Sequence, residues 1–209
     1  VYVGSEPNSG LTDALLYDAF GQGYAVSSGK LWRTSDGGST WEVFSTSGTN
    51  VWQEEICKLG NSFLVPYAGL NCSGQGSDGG MRFSVNNGAT WRQFQTRISM
   101  FGAFLLDANS AWACGYNRSV YYTSDGGQTW ILRNCGVETG NLDDIWFINP
   151  STGWLVGEGV YKLADDRREV SQTILDFGKL CVRDEVVKTF YIRNFSFSST
   201  NVNIQGTGN

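Results

Sequence analysis

From about residue 10 to residue 166 the chain alternates short apolar stretches with polar, glycine-rich turns, and the stretches come in sets that repeat. Residues 14–17 (Ala-Leu-Leu-Tyr), 104–106 (Phe-Leu-Leu) and 145–148 (Ile-Trp-Phe-Ile) open three sets. A second apolar stretch follows in each: Gly23-Tyr24-Ala25-Val26, Ala111-Trp112-Ala113-Cys114 and Gly153-Trp154-Leu155-Val156. Then comes an alternating stretch: Lys30-Leu31-Trp32-Arg33, Ser119-Val120-Tyr121-Tyr122 and Gly159-Val160-Tyr161-Lys162. Runs this short, aromatic and β-branched, and punctuated by glycine, predict strands rather than helices. Each set reads as three or four antiparallel strands over about 40 residues, the size of one propeller blade.

A turn motif recurs after the third stretch. It reads Thr34-Ser35-Asp36-Gly37-Gly38-Ser39-Thr40-Trp41, then Ser84-Val85-Asn86-Asn87-Gly88-Ala89-Thr90-Trp91, then Thr123-Ser124-Asp125-Gly126-Gly127-Gln128-Thr129-Trp130. The shared form is [Ser/Thr]-x-[Asp/Asn]-x-Gly-x-Thr-Trp. Asp or Asn accepts backbone N–H bonds within the turn, and the glycines at 38, 88 and 127 supply a positive φ. Thr40, Thr90 and Thr129 return the chain to a strand, and each tryptophan buries a large face. A fourth set ends at residues 164–168 without the glycine or the tryptophan, which reads as the end of the array. The first two motifs lie 50 residues apart and the next two 39, with the excess in residues 70–80. That polar Gly/Ser stretch reads as a longer surface loop, with a binding loop as the alternative.

These turns resemble the Asp-box, or BNR, repeats of sialidases, sortilin-type receptors, xyloglucanases and photosystem II stability/assembly factor proteins. Gly-Tyr-Ala-Val or Gly-Trp-Leu-Val-Gly, an aromatic strand and then Thr-Ser-Asp-Gly-Gly-x-Thr-Trp are most similar to the last group. The resemblance implies a non-enzymatic propeller that helps assemble or stabilise another complex. Four blades are visible where such propellers have about seven, and four would leave sheet edges open. The expectation is a piece of a longer protein, with completion by another copy as the alternative. Residues 167–209 differ from the blades at 1–166. Thr173-Ile174-Leu175-Asp176-Phe177-Gly178-Lys179-Leu180 and a strand ending Arg193-Asn194 resemble the opening of a hydin or choice-of-anchor immunoglobulin-like domain. Strands that pair with the propeller edge are the alternative. The expected fold is thus all-β: propeller blades followed by a partial immunoglobulin-like sandwich.

Composition sharpens this picture at a few points. With 17% charged residues, 27 glycines and 41% hydrophobic residues, the chain buries a core rather than staying disordered. A net charge of −5 gives no basic footprint for nucleic acid or an anionic membrane. Cys57, Cys72, Cys114, Cys135 and Cys181 lack zinc spacing. An exported protein would pair Cys57 with Cys72 and Cys114 with Cys135; buried thiols are the other reading.

Without histidine, Ser-His-Asp and Cys-His catalysis are excluded within this chain, and there is no P-loop. A sialidase needs an arginine cluster, for which Arg82, Arg92, Arg97 and Arg118 are candidates, but Arg97-Ile98-Ser99 lacks the proline of the expected Arg-Ile-Pro. A glycosidase needs two facing carboxylates, and Asp18, Asp107, Asp143 and Asp144 are candidates. Asp143 and Asp144 precede a strand, where a turn role is the plainer one. Asp36 and Asp125 are assigned to turns rather than to calcium, since each motif offers one carboxylate. Trp41, Trp91 and Trp130 recur at one position and read as packing residues, whereas Trp52, Trp146 and Trp154 are less constrained. The functional expectation is a protein-binding scaffold outside the cytoplasm, without cofactor or metal. Its partners are other protein subunits, with a second copy or a glycan as further options. A carbohydrate-active propeller is the alternative.

Overall fold

The apolar stretches become strands of antiparallel sheets in a computed structural model that describes residues 13–15, 20–46, 51–68, 79–134, 136–138, 140–164, 168–170 and 192–194. No helix occurs among the described residues. The first blade has β1 (Asp13–Leu15), β2 (Gly23–Ser27), β3 (Lys30–Thr34) and β4 (Glu42–Ser45), in that spatial order. The second runs β5 (Trp52–Gln53), β7 (Ser62–Ala68), β8 (Gly80–Ser84) and β9 (Arg92–Gln95), with β6 (Cys57–Leu59) also on β7. The third holds β10 (Met100–Leu105), β11 (Ala111–Gly115), β12 (Ser119–Thr123) and β13 (Ile131–Leu132). The fourth holds β14 (Leu142–Asn149), β15 (Thr152–Gly157) and β16 (Val160–Ala164).

Contacts divide the chain into Val1–Leu163 and Ala164–Asn209. In the second unit β17 (Arg168–Val170) pairs antiparallel with β18 (Ile192–Asn194). The rest of the expected immunoglobulin-like region, most of the 70–80 loop, Asp18, Cys72, Cys135 and Cys181 lie outside the described residues.

Burial explains why the central strands are apolar runs. Strands β2, β7, β8 and β11 are buried at every position; β7, β8 and β11 lie in blades with a neighbouring blade on either face. The fourth strands alternate poorly, since they form the rim: β4 and β13 are exposed throughout. The registers of the three complete hairpins superimpose. Gly23 pairs with Thr34, Phe63 with Ser84 and Ala111 with Thr123. One residue further, Tyr24, Leu64 and Trp112 occupy a common position on the opposite face.

Packing between blades follows that alternation. Tyr24, Val26 and Leu31 of the first blade close on Ile56, Phe63 and Val65 of the second, with the Tyr24 and Phe63 rings edge-on at 5.1 Å. Leu64, Met81 and Phe83 then meet Ala103, Leu105, Ala111 and Ala113 of the third. Trp112 and Phe104 in turn meet Phe147 of the fourth, with ring centroids at 5.6 and 5.5 Å. Each such fully buried large side chain contributes about 1.5–3 kcal/mol of transfer free energy.

Candidate functional site

The three turn motifs are closed on themselves. In the first, the Thr34 hydroxyl donates to Asp36 Oδ1 (2.8 Å) and accepts the Gly38 N–H (2.9 Å). The Thr40 N–H and hydroxyl both donate to the Asp36 carboxylate, at 2.9 and 2.7 Å. The third motif repeats this arrangement with Thr123, Asp125, Gly127 and Thr129. In the second, Ser84, Asn86, Gly88 and Thr90 do the same, except that Asn86 Nδ2 donates to Thr90 Oγ1 (2.8 Å). The Thr40 backbone N–H, then the Thr40 and Thr34 hydroxyls, hold the Asp36 carboxyl down at about 2. The Thr129 hydroxyl and then its N–H hold Asp125 at about 2. These carboxylates organise their own loops.

Sequence reasoning missed a second layer. Gly37, Asn87 and Gly126 all have positive φ, and their N–H groups donate to Gly21, Asn61 and Asn109 carbonyls respectively. The motif is thereby tied to the turn before the second or middle strand of its own blade. The later glycine reaches further: a Cβ on Gly88 would lie 3.1 Å from Leu31 of the first blade, and one on Gly127 2.6 Å from Phe83 of the second. Trp91 packs on the core of the first two blades and Trp130 lies within that of the second and third, as packing residues; Trp41 is half-buried.

The other candidates are dispersed. Arg82 is fully buried inside the second blade, where Nη1 donates to Thr46 Oγ1 and Gln53 Oε1 at 2.9 and 2.8 Å, over the Tyr67 ring. Burial pulls its pKa down to about 10. Arg92 and Arg118 donate instead to the Gly126 and Glu138 carbonyls, and Arg97 stands in an exposed left-handed turn. These arginines do not converge as a carboxylate clamp. Asp107 accepts the Asn109 and Ser110 N–H groups and shapes a turn.

Cys72 and Cys135, the expected partners of Cys57 and Cys114, lie outside the described residues; Cys57 is half-buried and Cys114 buried. The Cys57 sulfur accepts the Leu105 N–H at 3.3 Å. Cys114 is buried under Gly102, where a Cβ would come within 2.8 Å of its sulfur. Burial, and then the carboxylates of Asp144, Glu55 and Asp143, push that thiol well up.

Those same carboxylates border a concavity. Glu54, Glu55, Phe101, Asp143 and Asp144 line a cleft of about 370 Å³. Here the sequence reading needs correcting, because Asp143 and Asp144 lie inside β14 rather than in a turn before it. A bulge explains their position. The register slips between Leu142 and Asp144, so Asp143 is the extra residue. Phe101 is the extra residue of an equivalent slip in β10, between Met100 and Gly102. Such bulges break the in-out alternation and turn adjacent side chains toward one space. Gly102 permits the approach, since a Cβ there would lie 2.6 Å from the Asp144 Cα. Glu55 is fixed by the Ala103 N–H, 2.5 Å from its Oε2. Phe101 meets Tyr116 edge-on at 4.8 Å. Glu54, Glu55 and Phe101 carry no local sequence signal, because the register that gathers them is set by pairings far along the chain. Among the described residues, no group of three or more Cys, Asp or Glu is arranged to hold a metal ion.

No protein-family model matches the chain, and no curated protein does. Solved structures do. A GH74 enzyme of Niastella koreensis aligns over 68% of this chain and 26% of its own, at 16% identity and a TM-score of 0.53. The GH74 xyloglucanase of Xanthomonas campestris aligns over 68% and 25%, at 12% identity and 0.53. YCF48 of Cyanidioschyzon merolae aligns over 78% and 72%, at 14% identity and 0.40. The chain thus spans about a quarter of the length of either GH74 protein. At these identities the likeness concerns the fold: all-β, built of β-propeller blades.

Proposed function

We propose that the chain is a non-enzymatic binding scaffold of a larger extracytoplasmic assembly, and that its cleft takes a lysine- or arginine-rich segment of another protein. The observation that carries this reading is the convergence of Glu54 and Glu55 from the second blade with Asp143 and Asp144 from the fourth around one concavity. Convergent carboxylates steer and retain cationic partners. Phe101, between them, offers a ring to a guanidinium or to the aliphatic stem that carries it. Asp143 and Asp144 stand on a strand and Glu55 is held by the Ala103 N–H, so less side-chain entropy is lost on binding.

Fluorescence anisotropy with a labelled oligo-arginine peptide and a glutamate-rich control tests this. The basic peptide is expected to bind with an affinity that falls as salt rises. Asp143→Asn with Asp144→Asn is expected to weaken it by about 1 kcal/mol or more. Equal binding of both peptides, or none, overturns the reading.

A second reading is a carbohydrate-active propeller. It is favoured by carboxylates from two blades bordering one cleft, as glycosidases need, and by the exposed Trp52 and Trp146. Against it, Asp143 and Asp144 are exposed, whereas a carboxyl that protonates a leaving group is held in apolar surroundings. Release of reducing ends from xyloglucan oligosaccharides, abolished by Glu54→Gln or Asp144→Asn, would establish the hydrolase instead.

A further inference from the structure

The second turn motif departs from the other two at one position that carries chemistry. Where the first and third read Asp36-Gly37-Gly38 and Asp125-Gly126-Gly127, it reads Asn86-Asn87-Gly88. Asn86 is bound at both ends: Oδ1 accepts the Ser84 hydroxyl and the Thr90 N–H, and Nδ2 donates to the Thr90 hydroxyl. Asn87 stands beside it at φ +58, exposed, and its side-chain amide has no hydrogen-bond partner among the described residues. Of the fifteen asparagines in the chain, Asn87 alone is followed by glycine. Glycine has no Cβ to shield its backbone nitrogen, so that nitrogen is the least hindered nucleophile an asparagine side chain meets. Its attack on Cγ forms an N–Cγ bond, expels ammonia and closes a five-membered succinimide. Water opens the ring at either carbonyl, leaving aspartate, or isoaspartate with the side-chain methylene inserted into the main chain. The net change is amide plus water to carboxyl plus ammonia, with no oxidant or reductant.

We propose that Asn87 is a site of spontaneous deamidation in the folded protein, and that the Ser84 hydroxyl sets its rate. The Gly88 N–H donates to Ser84 Oγ at 2.9 Å, and Ser84 is 1% exposed. The attacking nitrogen is therefore engaged until this bond opens, while the Asn87 N–H stays on the Asn61 carbonyl at 2.7 Å. The Asp-Gly pairs of the other motifs are protected differently. Their carboxylates accept from Thr40 and Thr129 and offer no leaving group comparable to ammonia. The Gly37 and Gly126 nitrogens donate to the Gly21 and Asn109 carbonyls. The reaction has a structural consequence at the seam between the first two blades. A Cβ on Gly88 would lie 3.1 Å from Leu31, so a main chain lengthened just before Gly88 presses this turn against the first blade.

Peptide mapping by mass spectrometry of the native chain, held at mildly alkaline pH, is the test. A carboxyl is expected to replace the amide at residue 87, while Asn61 and Asn109 keep theirs. Ser84→Ala should speed the conversion about threefold or more, the factor that loss of one hydrogen bond corresponds to. Ser84→Thr, the residue found at positions 34 and 123, should hold the original rate. Asn87→Gly, matching positions 37 and 126, should abolish the change at that peptide. Asn87 left intact in the folded chain, while the urea-denatured chain converts, would overturn the site. An unaltered rate in Ser84→Ala, or one that rises equally at Asn61 and Asn109, would overturn the role of Ser84.

Discussion

At the scale of single residues, the turn motifs trade charge for local order. Asp36 and Asp125 have pKa values lowered to about 2, against about 3.9 in an unfolded chain. A depressed carboxyl contributes stability that is fully present above the unfolded value and is lost as pH falls through the folded one. Melting temperature is therefore expected to decline between about pH 4 and pH 2, and Asp36→Asn with Asp125→Asn should flatten that decline. The second motif is an internal control, because Asn86 makes the same bonds without a titrating group. Relative to the intrinsic exchange rate at each pH, amide protection at residues 84–90 should stay constant while that at 34–40 and 123–129 falls. Glycine positions divide in a similar way. Gly37 at φ +71 has open space around it, so Gly37→Ala costs only backbone strain, about 1 kcal/mol. Gly127 at φ +77 faces Phe83 at 2.6 Å, so Gly127→Ala should cost at least about 2 kcal/mol more in urea denaturation.

At the scale of elements, the sequence was most legible where a local rule decides. The strands at 23–26, 30–33, 111–114 and 119–122 were marked by apolar runs between glycines, and the structure has them as β2, β3, β11 and β12. The bulges were not legible. Nothing near Phe101 or Asp143 announces an extra residue, because a bulge is a mismatch between partner strands. Gly102 is the element-level hinge of the cleft. Gly102→Ala would force β10 away from the Asp144 backbone, so it is expected to lower the melting temperature and to weaken basic-peptide binding together. Asp144→Ala should weaken binding with little change in melting, and the contrast is read by anisotropy beside thermal denaturation.

At the scale of the whole molecule, stability resides in the seams between blades. Trp112, 0% exposed and seated on Phe147, should cost about 3–5 kcal/mol when changed to alanine. Trp154, its half-buried counterpart in the fourth blade, should cost less, and urea melts of the two variants measure the difference. What the sequence alone could not convey is which face each tryptophan occupies, since all share one spacing and only the stacking order distinguishes them. The seam between the third and fourth blades also holds a natural clock. Cys114 sits there without access to solvent, and its thiol is kept protonated by burial and the carboxylates above it. Thiolates, not thiols, attack alkylating reagents, so under native conditions the sulfur reacts only when these two blades part. Its modification rate counts seam openings one molecule at a time, and a ligand that bridges the cleft from the second blade to the fourth slows that count in proportion to its occupancy.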